Sequence, residues 1–113
     1  MRFSEVAIFT DDVDAAADFY ERLLGAAAVH RGDGIAVFDV GGVQVLVHEK
    51  CEPSSDAPPC EDHIAFAVPD VDRTVRELEE RGLTVEFPAR EYDWGRFLYV
   101  RDPQGHLLEI QQA

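Results

Sequence analysis

Two stretches of this chain follow the same pattern, and that repeat limits the fold more than any other feature. When Glu5 is laid over His63, identities fall at Ala7/Ala65, Asp12/Asp70, Val13/Val71 and Asp14/Asp72, with apolar pairs at Val6/Ile64 and Ile8/Phe66. Each copy opens with a short alternating run, passes through an acidic turn and enters a helical stretch that closes at Gly25 or Gly82. A carboxylate before the first helical turn accepts its free amides, and glycine permits the left-handed conformation that ends a helix. Asp11 or Asp12 and Asp70 are therefore the expected caps, with helices over Val13 to Leu24 and Val71 to Arg81. Ala16, Phe19, Tyr20, Leu23 and Leu24 make the apolar stripe of the first helix, and Val71, Val75, Leu78 and Leu83 that of the second.

Three segments rich in β-formers follow each helix. They are Ala27 to His30, Ile35 to Val40 and Val43 to His48 in the first half, then Thr84 to Phe87, Arg96 to Val100 and Leu107 to Gln111 in the second. Gly41-Gly42 and Asp102 to Gly105 are turn sequences joining the last two strands of each half. The expected class is α+β, with two βαβββ modules over residues 1–50 and 62–113 in one domain. Residues 51–61 form a linker carrying Pro53, Ser54, Ser55, Pro58 and Pro59. A half of about 50 residues has little prospect of a stable core alone, so the modules pack together, within a chain or across a dimer.

Alternation along each strand then sorts its side chains by face. Val6 and Ile8, Val43, Val45 and Val47, Ile64, Phe66 and Val68, and Leu108 and Ile110 make the faces that meet a helix. The opposite faces carry Glu5, Ala7 and Phe9, Gln44, Leu46 and His48, His63, Ala65 and Ala67, and Leu107, Glu109 and Gln111. Glu5, His48, His63 and Glu109 are candidate ligands, because carboxylates and imidazoles bind divalent ions such as Zn, Mn, Fe or Ni. Parity alone does not separate a buried pocket from a wet sheet face. Phe97, Tyr99 and Arg101 also share a face, with Tyr92 and Trp94 nearby, giving aromatic wall material and a cation, Arg101 or Arg96, for an anionic or carbonyl group.

Ten Lys and Arg against 23 Asp and Glu leave a net charge of −13, which repels nucleic acid and anionic membranes. No apolar run approaches the roughly 18 to 20 residues that span a bilayer, and the first residues lack a secretory pattern, so a cytoplasmic location is expected. In that reducing compartment Cys51 and Cys60 are expected as free thiols.

The segment Asp12 to Gly25, the run His63 to Val68, and Trp94-Gly95 followed by Arg101 to Glu109 together resemble the vicinal oxygen chelate superfamily of glyoxalases, extradiol dioxygenases, fosfomycin-resistance enzymes and bleomycin-binding proteins. The resemblance covers essentially the whole chain. It implies a curved mixed sheet forming a cup, commonly in a homodimer, with metal ligands on the opening and closing strands of each module. His63 and Glu109 match the second module's ligand positions, and Glu5 falls where the first usually supplies His or Gln. Leu46 stands where the first module's Glu would be, so His48 enters only if its strand is shifted or bulged. The resemblance implies metal-dependent lyase, isomerase or dioxygenase chemistry on a small substrate with neighbouring oxygens. Glu5 or Glu109 would act as base, and Phe9, Trp94, Phe97, Tyr99 and Arg101 would line the pocket. A metal-free protein that binds a drug-like molecule is the alternative.

Overall fold

A computed structural model describes residues 1–54 and 57–113. Ser55, part of the expected linker, lies outside the described residues together with Asp56. The chain divides into two compact units: Glu5–Asp62, and His63–Ala113 joined by Met1–Ser4.

The first unit contains most of β1 (Arg2–Thr10), α1 (Val13–Leu24), β2 (His30–Gly32), β3 (Ile35–Val40) and β4 (Val43–Glu49). Strands β2, β3 and β4 are joined antiparallel, and β1 lies parallel to β4 with Glu5 opposite Gln44 and Phe9 opposite His48. α1 has the expected bounds, and Asp12 is its cap, accepting from Ala15 N at 3.0 Å. Its buried face is rotated from the expected stripe. Ala17 is fully buried among Ala36, Phe38 and Val47, flanked by Val13, Ala16 and Tyr20, whereas Phe19 and Leu23 are exposed. The alanines let the helix approach the bulky Phe38 closely, and that choice turns Phe19 and Leu23 outward.

The expected strand over Ala27 to His30 is found instead at His30–Gly32. A two-residue turn at Asp33-Gly34, both with positive φ (56° and 77°), sets Gly32 opposite Ile35 and so fixes the register. Arg31 then reaches back to α1, bonding Glu21 Oε1 at 2.9 Å and Asp18 Oδ1 at 2.8 Å.

The second unit contains β5 (His63–Val68), α2 (Val71–Glu80), β6 (Phe87–Tyr92), β7 (Gly95–Arg101) and β8 (Leu107–Gln112). β5 runs parallel to β8, β8 is antiparallel to β7, and β7 to β6. Each unit thus repeats the βαβββ order and the same pattern of pairing. Asp70 caps α2, accepting from Arg73 N at 3.1 Å. The helix stops at Glu80, one residue early. Leu83 N reaches Leu78 O and Gly82 N reaches Glu79 O, with Gly82 at φ 83°, a closing pattern that needs the left-handed conformation glycine allows. Leu83 therefore lies beyond the helix and is exposed, not part of its stripe. The core is Val68, Val71, Leu78, Leu98, Val100 and Ile110.

β6 occupies Phe87–Tyr92 where a strand over Thr84 to Phe87 is expected. Its pairing with β7 shifts between Phe87 and Arg90, around Pro88. A bulge on an outer strand accommodates proline's missing N–H, so Pro88 lies inside β6.

Cys51 and Cys60 form a disulfide, with Cα atoms 5.8 Å apart, contrary to the expected free thiols. That separation is within the range a disulfide spans. No helix among the described residues is long and apolar enough to cross a membrane.

Arg96 does not face the aromatic wall. It alternates with Phe97 and so points with Leu98 toward α2, where its guanidinium grips Asp72 at 2.7 and 3.1 Å. That hydrogen bond, foremost, and the guanidinium's charge hold the Asp72 carboxyl below its usual range. A carboxylate whose pKa is lowered by folding contributes stability above the unfolded value, near 4, and loses it as pH falls through the folded one. Acid melting of an Asp72→Asn variant should therefore fall less steeply below about pH 4 than that of the parent. Identical acid limbs would show that the ion pair contributes nothing.

Candidate functional site

The face of the second unit turned away from α2 carries a buried polar pair. His63 opens β5, and Glu109 lies in β8, the parallel neighbour, where it stands opposite Ala65. His63 Nε2 donates to Glu109 Oε2 at 2.8 Å, and the side chains are only 5% and 7% exposed. The other carboxylate oxygen, Oε1, accepts from Gln111 Nε2 at 3.0 Å. Both oxygens of a buried carboxylate are thus engaged, the condition under which burying such a group is tolerable. Sequence reasoning placed Gln111 on this face without a role. Its spacing of two residues from Glu109 in a strand is the signal that could have identified it.

Around the pair lies an aromatic cluster. Phe97, Tyr99 and Leu107 are buried together, with Tyr92 packed against them. The Tyr99 ring meets the His63 imidazole edge-on, with centroids 5.9 Å apart, and Phe87 meets Tyr99 in the same way at 6.0 Å. Trp94 stacks on Tyr92 at the tip between β6 and β7. Arg101, expected in the pocket, donates to Gly105 O at 2.9 Å and lies 3.6 Å from Glu86. These two partners belong to the β7–β8 turn and to the segment before β6.

The remaining candidates belong to the first unit. Glu5 is half-buried in β1. Phe9 and His48 are opposite one another, with ring centroids 5.1 Å apart. His48 Nδ1 donates to the Glu49 carbonyl at 2.6 Å; in the neutral ring this leaves the lone pair on Nε2. Among the described residues, no group of three His, Cys, Asp or Glu side chains is gathered as an ion site.

His63 and Glu109 suit a divalent ion in two respects. Imidazole nitrogen and carboxylate oxygen are its usual donors. Their donor atoms, Nε2 and Oε2, lie 2.8 Å apart on one buried face, near enough to serve one ion. Holding an ion there would call for the His63 tautomer protonated on Nδ1, with the Nε2 lone pair as donor. Gln111 is placed to keep hold of the opposite carboxylate oxygen.

Each unit has the βαβββ order, and in the second a His and a Glu stand on the helix-free face of parallel neighbouring strands. The chain belongs to the Glyoxalase/Bleomycin resistance protein/Dioxygenase superfamily, whose family pattern matches residues 2–110. It is 30% identical over 107 residues to the metallothiol transferase FosB of Shouchella clausii, covering 88% of this chain and 71% of that protein. It is 33% identical to the anthracycline biosynthesis protein DnrV of Streptomyces peucetius, covering 96% of this chain but 41% of the longer relative. Among solved structures, methylmalonyl-CoA epimerase from Mycobacterium tuberculosis superposes with a TM-score of 0.75 at 26% identity, covering 98% of this chain and 87% of that one.

Proposed function

We propose that the protein carries out metal-dependent chemistry of the lyase, isomerase or dioxygenase kind on a small substrate with neighbouring oxygen atoms, and that His63 and Glu109 hold the metal. The observation that carries the proposal is the buried His63–Glu109 pair, with the second carboxylate oxygen held by Gln111. A bound divalent ion would supply Lewis acidity toward substrate oxygen. The protein's own part is to fix the two donors, keep water from them behind Phe97, Tyr99 and Leu107, and offer a carboxylate as base. Glu109 is the first candidate for that base and Glu5 the second. Glu5 and His48 stand as further ligand candidates, and Phe9, Trp94, Phe97, Tyr99 and Arg101 as pocket residues.

The relatives support this reading, since a metallothiol transferase and an epimerase are both enzymes. The aromatic cluster supports a second reading, a metal-free protein that binds a small molecule without turnover. In either case we propose one domain of two modules, a homodimeric assembly and a cytoplasmic location. The Cys51–Cys60 bridge counts against that compartment, where reductants keep thiols open, and cell fractionation decides it.

The test is elemental analysis of untagged protein beside the His63→Ala/Glu109→Ala double variant. Stoichiometric metal in the parent that disappears in the variant is the expected result. Glu5→Gln and His48→Ala, titrated singly with the same ion, identify any further ligand by a loss of affinity. No metal in the parent, even after addition of Ni, Zn, Mn or Fe, would overturn the proposal in favour of the metal-free reading.

A further inference from the structure

The Cys51–Cys60 bridge has no part in the site described, yet both segments that lead into it are fastened to the end of β1. On one side Lys50 N donates to Thr10 O at 3.1 Å, carrying the β1–β4 ladder one step past its last pair, Thr10 and Glu49. On the other side Asp62, two residues after Cys60, accepts the Phe9 N–H on Oδ1 at 2.8 Å. The bridge therefore joins the two arms that hold Thr10 and Phe9, and Phe9 is the ring that meets His48 at 5.1 Å. Asp62 is exposed. Water competes for its carboxylate, so the bond to Phe9 N persists only while the chain around Asp62 is kept in place.

The two cysteines are set differently. Cys51 is exposed and Cys60 half-buried, so a thiolate from solution reaches Cys51 first. Cys60 Sγ lies 3.8 Å from Pro58 O and 3.9 Å from Glu52 O. Once reduced, its S–H finds acceptors already in place. We infer that the bridge is a thiol–disulfide exchange site for a small dithiol, and that its opening releases Asp62 from Phe9. A thiolate of the reductant attacks Cys51 Sγ, the bond to Cys60 breaks, and Cys60 leaves as a thiolate that takes up a proton. The reductant's second thiolate then displaces Cys51, which takes up the other proton. Two electrons pass to the protein, leaving two thiols on it and one disulfide on the reductant. A monothiol stops short, because Cys60, its Cα 5.8 Å from that of Cys51, stays within reach and expels it again. That Phe9 lines a ligand pocket belongs to the function proposed above, but the exchange depends neither on that pocket nor on a metal.

The experiment uses the intact chain in non-denaturing buffer, without metal or ligand, either air-oxidised or treated with dithiothreitol. Alkylation with iodoacetamide followed by mass spectrometry counts the open thiols, and hydrogen exchange read by NMR follows single amides. The expected result is no alkylated cysteine before reduction and two after it, with the bridge re-forming once the reductant is removed. The Phe9 amide should exchange at least about tenfold faster in the reduced chain, while that of Ala17, in the core under α1, keeps its rate. Cys51→Ser/Cys60→Ser should match the reduced chain, and Asp62→Ala should exchange fast at Phe9 in both states. A bridge that opens only when the chain is unfolded in urea, open thiols in the air-oxidised chain, or a Phe9 rate indifferent to reduction would each overturn the inference. So would faster exchange at Ala17 as well, because the bridge would then be a staple for the whole unit. Ligand affinity of the two forms is measured separately, so failure of the pocket reading leaves these results untouched.

Discussion

A Glu109→Ala chain is expected to lose about 3 kcal/mol of stability, because it deletes a buried carboxylate that accepts from two side-chain donors. Here the substitution removes an acceptor from both His63 Nε2 and Gln111 Nε2, since each donates to a different oxygen of that carboxylate. For a chain of this size the melting temperature should fall by roughly 10 to 20 °C. Glu109→Gln keeps the shape and one carbonyl acceptor but replaces an acceptor with a donor. It should cost about 1 kcal/mol when its carbonyl oxygen faces His63. Thermal melts of the two variants beside the parent decide the matter. An alanine variant that melts at or above the parent would mean that the pair costs as much to bury as it returns, and that function alone accounts for it.

The second large effect lies in the other unit. Phe38 is 1% exposed and packs with Ala17, Ala36 and Val47, its ring 5.9 Å from that of Tyr20. Phe38→Ala removes a whole ring from a place where the alanines of α1 have no reach to fill the space, and the expected cost is about 3–5 kcal/mol. Phe38→Leu, which retains most of the volume, should cost about 1 kcal/mol. Urea unfolding gives both numbers. A loss below about 1 kcal/mol for the alanine variant would show that α1 collapses onto the sheet and that the packing described is not needed to hold it.

These two positions differ in how far the sequence disclosed them. Alternation along β5 and β8 placed His63 and Glu109 on the helix-free face and Ile64, Phe66, Leu108 and Ile110 on the other, and the structure agrees because the period of a strand is a property of the backbone. Phe38 lies with Ala36 on the buried side of β3 for the same reason. The caps Asp12 and Asp70 and the turn at Gly82 were equally legible, since each is a local exchange of hydrogen bonds within a few residues.

Local rules do not reach contacts between elements. The rotation of α1 that buries Ala17 and exposes Phe19 and Leu23 depends on the size of Phe38, a residue on another strand. The position of β6 depends on a bulge that absorbs Pro88. The sequence offers Arg96 beside Arg101 as a charge for an anionic or carbonyl group, but Asp72 claims the Arg96 guanidinium across the sheet–helix junction.

What the sequence by itself determined was the repeated βαβββ order, the two helices and the face on which each strand carries its polar residues, because these follow from backbone period and capping chemistry. Only the tertiary structure decided that the face bearing His63 and Glu109 is buried rather than wet, that Gln111 occupies the second carboxylate oxygen, and that Cys51 and Cys60 are bridged. Burial and pairing are properties of the space between strands, set by which side chains arrive from distant parts of the chain.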